Sequence, residues 1–249
     1  MKIPADNSFI NLNHGKIATK NKMGAMVTKL SDISKQFIAD TEQLSPEEII
    51  VDVGCCYGIA TLAVLEQSQC KIIGIDLSEE HLQILRASIN QENSKRLTTI
   101  AGFFPEAFKA TDGTIAAIHA SHLLQFLTGK DIEKGIIKCY NALQSQGKVY
   151  FSTTSIYLPW TKSFLPIYKQ REASGEPWPG EISNFVDYAP DEAKEHVQSF
   201  FHVLTKEKLC NTLEKAGFVI NRAFYYDVNN PADQANDNKE MIGIIATKK

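Results

Sequence analysis

A buried strand that runs into a glycine turn and a helix constrains the fold of this chain more than any other feature. The strand is predicted at Ile49–Val53, and the turn contains Gly54 and Gly58. A second strand, Lys71–Asp76, ends in an acid 22 residues after Gly54. On a doubly wound sheet, such glycines let the backbone approach a nucleotide cofactor, and the acid binds ribose hydroxyls. The Gly-x-x-x-Gly spacing, preceded by Asp52, favours a cationic cofactor without phosphates over a dinucleotide.

Strands and helices alternate over most of the chain, which predicts an α/β fold with a doubly wound, mostly parallel sheet. Helices are predicted from about Tyr57, after the caps Ser78, Thr128 and Thr205, and up to Gly217. Further strands are predicted at 97–101, 114–120, 148–154, 218–226 and 241–247.

Two segments lie outside this alternation. Residues 1–45 are predicted to form an N-terminal helical cap, because apolar residues from Met23 to about Leu44 recur at spacings of three and four. Residues 46–249 form the main domain, with an aromatic- and proline-rich insertion at about 155–204. Its place at the carboxyl edge of the sheet favours a cover for the substrate, whereas a packed structural insertion is the alternative.

Composition and charge limit the classes of molecule that the protein is expected to bind. The chain of 249 residues has a net charge of −3, which argues against nucleic-acid binding. It shows no signal peptide and no apolar run of membrane-spanning length, so we expect no membrane partner. Five cysteines without Cys-x-x-Cys spacing suit a reducing, cytoplasmic location. The acidic run at 176–195 indicates a solvated face or, alternatively, a surface for a cationic substrate.

At this point the residues resemble the class I S-adenosylmethionine-dependent methyltransferases. Residues 51–58 are similar to the acid-x-Gly-x-Gly-x-Gly motif of this family, with Cys56 at the central glycine, and are closest to a bacterial small-molecule type with a Tyr-Gly variant. Further matching segments are 75–78, 99–104, 120–127, 143–148 and 214–218. The resemblance implies a Rossmann-like, seven-stranded sheet of order 3-2-1-4-5-7-6 with the last strand antiparallel and helices on both faces.

The same resemblance implies the activity and the cofactor. S-adenosylmethionine would donate a methyl group to a small-molecule acceptor by in-line displacement, leaving S-adenosylhomocysteine. A non-catalytic cofactor-binding or regulatory protein on the same fold remains an alternative, as does a nicotinamide-dependent oxidoreductase. The oligomeric state and the methyl acceptor are not predicted.

The resemblance also implies the cofactor-binding residues. Asp52 would lie near the cofactor's ammonium group, and Asp76 would bind both ribose hydroxyls. Phe103 stands where the family usually carries an acid that binds the adenine. The full predicted set is Asp52, Gly54, Cys55, Cys56, Tyr57, Gly58, Asp76, Leu77, Gly102, Phe103, Phe104, Ala120 and Ser121.

Catalytic residues are harder to predict, because alignment of the reactants alone can supply ~7–11 kcal/mol of rate enhancement. His122 is either a base or a loop histidine that contacts the amino-acid end of the cofactor or solvent. Tyr157 is a second candidate base, whereas His119 is predicted to be a hydrogen-bonded core histidine. Adjacent cysteines and the absence of a histidine pair at ligand spacing predict no metal site. Cys55 and Cys56 either hold a reactive thiolate or simply fill a tight turn.

The acceptor pocket is predicted beside the cofactor's methyl group. The N-terminal helix and the insertion could both close it. We expect the pocket to be aromatic and lined by the insertion, whose candidate side chains are Tyr157, Trp160, Tyr168 and Trp178.

Overall fold

The computed structural model describes residues 11–12, 16–21, 25–227 and 239–249. Its main element is a seven-stranded sheet with helices on both faces. The strands are β1 Ile49–Val53, β2 Lys71–Asp76, β3 Leu97–Ala101, β4 Ile115–Ser121, β5 Leu143–Thr154, β6 Phe218–Tyr226 and β7 Met241–Lys248. The helices are α1 Asp32–Thr41, α2 Ile59–Gln67, α3 Glu79–Ala87, α4 Gln91–Ser94, α5 Gly129–Ala142, α6 Leu165–Ala173 and α7 Lys206–Lys215.

The strand order is β3-β2-β1-β4-β5-β7-β6. β1 to β5 pair in parallel, and β7 is antiparallel to both β5 and β6. The predicted fold class and strand order are therefore confirmed. The carboxyl ends of β1, β2 and β4 meet at one edge, with Asp52 of β1 paired with Gly74 and with His119.

Two apolar cores lie on opposite faces of the sheet. Val51 and Ile118 belong to the core that also contains residues of α5 and α7. Ile50 belongs to the core of α1 and α2, in which Phe37 is fully buried. Successive residues of β1 thus point to opposite cores, which is why the strand is apolar throughout except for Asp52.

The predicted helix caps are confirmed. The side chains of Ser78, Thr128 and Thr205 each accept a hydrogen bond from a backbone N–H of the first turn of α3, α5 and α7, respectively. Gly217 follows α7 with φ +104°. β5, in contrast, begins at Leu143 rather than at residue 148, because a register shift against β4 accommodates the turn at Gln146 and Gly147.

The prediction of one long N-terminal helix from Met23 was wrong. Met23 lies outside the described residues, Ala25–Val27 is a strand, and α1 begins only at Asp32. Ser31 caps α1 by accepting from the Ser34 N–H. The strands Asn11–Leu12, Lys16–Ala18 and Ala25–Val27 form a small antiparallel sheet. Apolar periodicity missed this because Met26 packs against Ile17 across that sheet and not along a helix face.

The insertion at 155–204 contains α6 and a two-stranded antiparallel sheet of Glu181–Ile182 and Phe201–His202. Its buried apolar residues form a cluster of their own: Ile156, Phe164, Tyr168, Ile182, Phe185, Phe201 and Val203. Trp178 instead packs over Gly129 at the start of α5. In the part of the chain that the structure describes, no helix has the length and apolarity needed to cross a membrane.

Candidate functional site

A cavity of about 250 Å³ opens at the carboxyl ends of β1, β2 and β4. This is the edge at which open α/β sheets bind ligands. Its wall comes from the turns after these strands on one side and from the N-terminal segment 19–34 on the other. Of the predicted cofactor-binding residues, those that line it are Asp52, Gly54, Cys55, Cys56, Asp76, Leu77, Gly102, Phe103, Phe104 and Ser121.

The turn after β1 places its backbone against the cavity. Gly54 has φ +70° and donates its N–H to the Ile75 carbonyl at 2.7 Å. Cys56 also adopts a left-handed conformation, with φ +51°. A Cβ at Gly54 would lie 3.2 Å from the Leu123 side chain, so the glycine is required by its backbone conformation and leaves little space for a side chain.

Asp76 at the end of β2 is held in place by three donors. Its Oδ2 accepts from the Cys56 N–H at 2.8 Å, and its Oδ1 accepts from the Ser78 N–H at 2.9 Å. His81 Nδ1 lies 3.0 Å from the same Oδ1. A carboxylate oxygen accepts about two hydrogen bonds. Oδ2 therefore retains accepting capacity for a ligand, whereas Oδ1 is already occupied.

Asp52 is buried beneath the cavity and has two partners of its own. Thr61 donates its hydroxyl to Oδ2 at 2.7 Å, and His119 Nδ1 lies 2.8 Å from Oδ1. The second ring nitrogen of His119 lies 3.0 Å from Ser34 Oγ, and the ring stacks on Phe37. His119 is thus the hydrogen-bonded core histidine predicted from the sequence. Asp52 nevertheless remains part of the cavity lining.

Two exposed apolar side chains flank the mouth of the cavity. Leu77, directly after β2, is 48% exposed, and Phe103, directly after Gly102, is 42% exposed, and both line the cavity. Phe104 is buried and its ring packs against Gly135 of α5. Because exposed apolar surface beside an open cavity is typical of a ligand-binding edge, Leu77 and Phe103 can cover a flat ring.

Gly58 and Ala120 lie outside the cavity lining, contrary to the prediction for them. Gly58 begins α2 with φ +84°, and a Cβ there would lie 2.2 Å from the Leu85 side chain of α3. The glycine is therefore needed for helix packing. Ala120 is buried within β4, and its neighbour Ser121 lines the cavity instead.

Tyr57 also lies outside the cavity lining. It is 2% exposed, and its ring clusters with Ile17 and Met26 of the N-terminal sheet. Its hydroxyl accepts a hydrogen bond from the Lys20 N–H at 2.9 Å. Tyr57 thus fastens the N-terminal segment over the turn, a role that the motif alone does not reveal.

This fastening can be tested with Tyr57→Phe. The variant loses the hydrogen bond to Lys20, which we expect to cost about 0.5–1.5 kcal/mol. Amide exchange at residues 16–21 should become faster, with little change in the core strands. Tyr225→Phe is the matched control, because it removes the hydroxyl that accepts from the Lys206 N–H, on β6 and outside the cavity lining. Unchanged exchange at residues 16–21 in Tyr57→Phe would contradict the assignment.

Of the two candidate bases, the structure brings one to the cavity. His122 lines it, in a left-handed conformation with φ +57°, and donates its N–H to the Ser152 carbonyl. Tyr157 is 47% exposed and packs edge-on against Tyr225, outside the cavity lining. Tyr157 is therefore not placed to act as a base there.

The paired cysteines fill the turn. Burial raises the pKa of the Cys55 thiol well above its usual value, and the neighbouring Asp52 and Asp76 raise it further. Burial followed by Asp76 likewise raises the pKa of the Cys56 thiol. A reactive thiolate needs a lowered pKa. The raised pKa values therefore favour the interpretation that Cys55 and Cys56 are small residues that fill a tight turn.

The expectation that the insertion lines the pocket with aromatic rings was wrong. Of the described insertion residues, Gln198 is the one that lines the cavity. Tyr168 packs in the insertion's own core, and Trp178 packs against α5. The aromatic composition reflects this local packing, in agreement with the alternative of a packed structural insertion.

The N-terminal segment supplies much of the wall instead, and sequence reasoning missed its individual residues. They are Thr19, Asn21, Met26, Val27, Lys29, Leu30, Ser31 and Ser34. Phe126 and Tyr226 were also missed, because they come from a short turn after β4 and from the far edge of the sheet. No local pattern distinguishes them from ordinary core residues. Among the residues of the N-terminal wall, Ser31 alone has a local signal, because a serine just before a helix is typical of an N-cap.

Comparison with known proteins bears on the domain and on the fold. Residues 50–147 match the family model described as a methyltransferase domain. No curated protein sequence matches the chain significantly. Among solved structures, an S-adenosylmethionine-dependent methyltransferase from Mesorhizobium loti is 18% identical with a TM-score of 0.63, over 87% of this chain and 98% of that one. One from Methanosarcina mazei is 18% identical with a TM-score of 0.61, over 85% and 96%.

A third solved structure is that of geranyl diphosphate C-methyltransferase from Streptomyces coelicolor, in complex with Mg²⁺, geranyl diphosphate and S-adenosylhomocysteine. It is 11% identical with a TM-score of 0.56, over 86% of this chain and 79% of that one. At these identities the likeness concerns the fold.

Proposed function

We propose that this chain, whose residues 50–147 match a methyltransferase-domain model and whose fold is similar to that of S-adenosylmethionine-dependent methyltransferases, methylates a small-molecule acceptor beneath its N-terminal segment. One observation carries the proposal: Gly54, Asp52 and Asp76 line the same cavity at the carboxyl edge of the sheet. A backbone surface, a buried negative charge and a ribose-binding acid are what a cationic nucleoside cofactor requires.

The described residues fit S-adenosylmethionine. Oδ2 of Asp76 has capacity for a ribose hydroxyl, and Leu77 and Phe103 offer exposed apolar surface for the adenine ring. The left-handed turn at Gly54 gives the amino-acid end of the cofactor close access to the backbone. Asp52 attracts the ammonium group by its charge, while its oxygens remain bonded to Thr61 and His119.

The cofactor, when bound, supplies an electrophilic methyl group. The chain then has to hold the acceptor in line with it and keep water away. The N-terminal segment forms one wall of the cavity, and Met26, Val27 and Leu30 give that wall an apolar part beside its polar residues. This arrangement suits a small, partly apolar acceptor. The Streptomyces coelicolor neighbour, which binds geranyl diphosphate, supports an acceptor of this size.

Calorimetric titration of the protein with S-adenosylhomocysteine, NAD and NADP tests the cofactor. We expect S-adenosylhomocysteine to bind with micromolar affinity and both nicotinamide cofactors to give no heat. A thermal-shift measurement with the same three compounds is the independent check. Binding of NAD in place of S-adenosylhomocysteine would favour the oxidoreductase alternative, and affinity for none of them would refute the proposed function.

A further inference from the structure

A buried chain of polar side chains leads from beneath the sheet edge to the cavity. Thr61 donates to Asp52, Asp52 bonds His119, and His119 Nε2 lies 3.0 Å from Ser34 Oγ. Ser34 Oγ in turn lies 3.0 Å from Ser31 Oγ. Asp52 lies on β1, His119 on β4 and Thr61 on α2, whereas Ser34 lies on α1 and Ser31 caps that helix. Packing between segments that are distant in sequence therefore brings these side chains together.

The carboxylate sets the direction of these hydrogen bonds. Because ionised Asp52 only accepts, His119 Nδ1 must carry the proton that it shares with Oδ1. In a neutral imidazole the other nitrogen, Nε2, then lacks a proton and accepts from the Ser34 hydroxyl. Ser34 Oγ is therefore left with acceptor capacity. This tautomer follows from the two contacts of the ring, with Asp52 at Nδ1 and Ser34 at Nε2.

These hydrogen-bonded side chains also face the cavity. Asp52, His119, Ser34 and Ser31 all line it, at the N-terminal end of α1. Tyr226 lines it as well and is 6% exposed, and its hydroxyl has no hydrogen-bond partner among the described residues, although Ser31 and Ser152 lie nearby. Burial raises the pKa of Tyr226 to about 12, so its hydroxyl stays protonated and can donate. At this end of the cavity, Ser34 Oγ can thus accept a hydrogen bond while it donates to His119, and the Tyr226 hydroxyl can donate one.

We propose that Ser34, His119 and Asp52 form a proton relay for the methyl acceptor, and that the acceptor is a hydroxyl or amine compound whose proton must leave. The inference rests on the proposed function. As the acceptor oxygen or nitrogen bonds to the methyl carbon, the carbon–sulfur bond breaks and its electron pair stays on sulfur. The acceptor's proton passes to Ser34 Oγ, and the Ser34 proton passes to His119 Nε2. Asp52 then stabilises the protonated imidazole.

A purely structural network makes a different prediction from a relay. If the chain only anchors α1, its loss should weaken turnover of every acceptor alike. If it removes a proton, its loss should affect acceptors that need a base and spare those that ionise unaided. Phenols and thiophenols of the same shape provide this contrast, because a thiophenol is already ionised near neutral pH.

The main experiment compares wild-type protein, Ser34→Ala and His119→Gln with a panel of substituted phenols, anilines and matching thiophenols, with S-adenosylhomocysteine release as the readout. For the phenols we expect kcat to fall by about 100-fold or more in both variants, the usual range for loss of a general base. The anilines should lose less, because their neutral nitrogen attacks the methyl group before its proton leaves. We expect KM for S-adenosylmethionine and kcat for the thiophenols to change little. Ser68→Ala is the control, because Ser68 is equally buried but bonds Thr41 and Cys70 away from the cavity.

A second readout needs no turnover. In the ligand-free protein, ¹⁵N shifts of the His119 ring should show a protonated Nδ1 and an unprotonated Nε2. Ser34→Ala should move the Nε2 resonance and leave Nδ1 in place, whereas Ser68→Ala should move neither.

Four results would overturn the relay: equal losses for phenols and thiophenols, turnover of thiols alone, no turnover of any hydroxyl or amine compound in the panel, or a protonated Nε2 in the wild-type ring. Each leaves the proposed function standing if S-adenosylhomocysteine still binds. Failure of that binding, in contrast, refutes the proposed function itself.

Discussion

Replacing Gly54 with valine should abolish binding of S-adenosylhomocysteine while the protein remains folded. Gly54 lies in the cavity wall with φ +70°, and a Cβ there would already lie 3.2 Å from Leu123. A β-branched side chain adds methyl groups where the cofactor's backbone contact is proposed, and it disfavours the left-handed conformation by about 1–3 kcal/mol. Calorimetry should show an affinity loss of at least about 100-fold, or roughly 2.7 kcal/mol.

Gly113→Val is the matched control for this experiment. Gly113 has φ +72°, nearly the same as Gly54, but a Cβ there would meet nothing within 4 Å, and the residue is outside the cavity lining. Both variants therefore carry the same backbone strain, and only one changes the cavity. If Gly54→Val binds as tightly as Gly113→Val, the cofactor lies elsewhere.

Asp76→Ala should weaken binding of S-adenosylhomocysteine by at least about 10-fold, because each buried donor left without a partner costs about 1–3 kcal/mol. The variant removes the proposed ribose acceptor. It also leaves the Cys56 and Ser78 N–H groups and His81 Nδ1 without the carboxylate that holds them. The turn that faces the cofactor would then be less well ordered.

Calorimetry measures the affinity, and the melting temperature reports the fold. Asp112→Ala is the control, since Asp112 is an exposed acid in the loop before β4. Wild-type affinity in a folded Asp76→Ala protein would remove Asp76 from the proposed site. A loss of equal size in Asp112→Ala would mean that overall charge, and not the ribose contact, determines the affinity.

Local patterns predicted the framework of this protein accurately. β1, β2 and β3 begin and end as predicted, because each is a short apolar run bounded by turn residues. The caps at Ser78, Thr128 and Thr205 are equally local, since a side-chain oxygen satisfies an N–H three residues ahead. The resemblance to a known family then supplied the strand order, which local patterns alone do not specify.

The candidate site was predicted only in part. Gly54 and Tyr57 stand three residues apart in one motif, yet Gly54 lines the cavity and Tyr57 packs under the N-terminal sheet. The aromatic residues of the insertion suggested a binding surface, whereas they form a core of their own. In both cases the residue type did indicate a packed or binding side chain. The direction in which that side chain points, however, depends on helices and strands from other parts of the chain.

From the sequence by itself, the α/β class, the ends of the first two strands at Val53 and Asp76 and the turn between the first strand and its helix could be determined. These depend on contacts and hydrogen bonds within a few residues. Only the tertiary structure decided that Ser34 meets His119, 85 residues away in the chain, and that the N-terminal segment forms one wall of the cavity. Such contacts form when Phe37 of α1 packs on the sheet face that holds Ile50, and this burial leaves no periodic signal at Ser34.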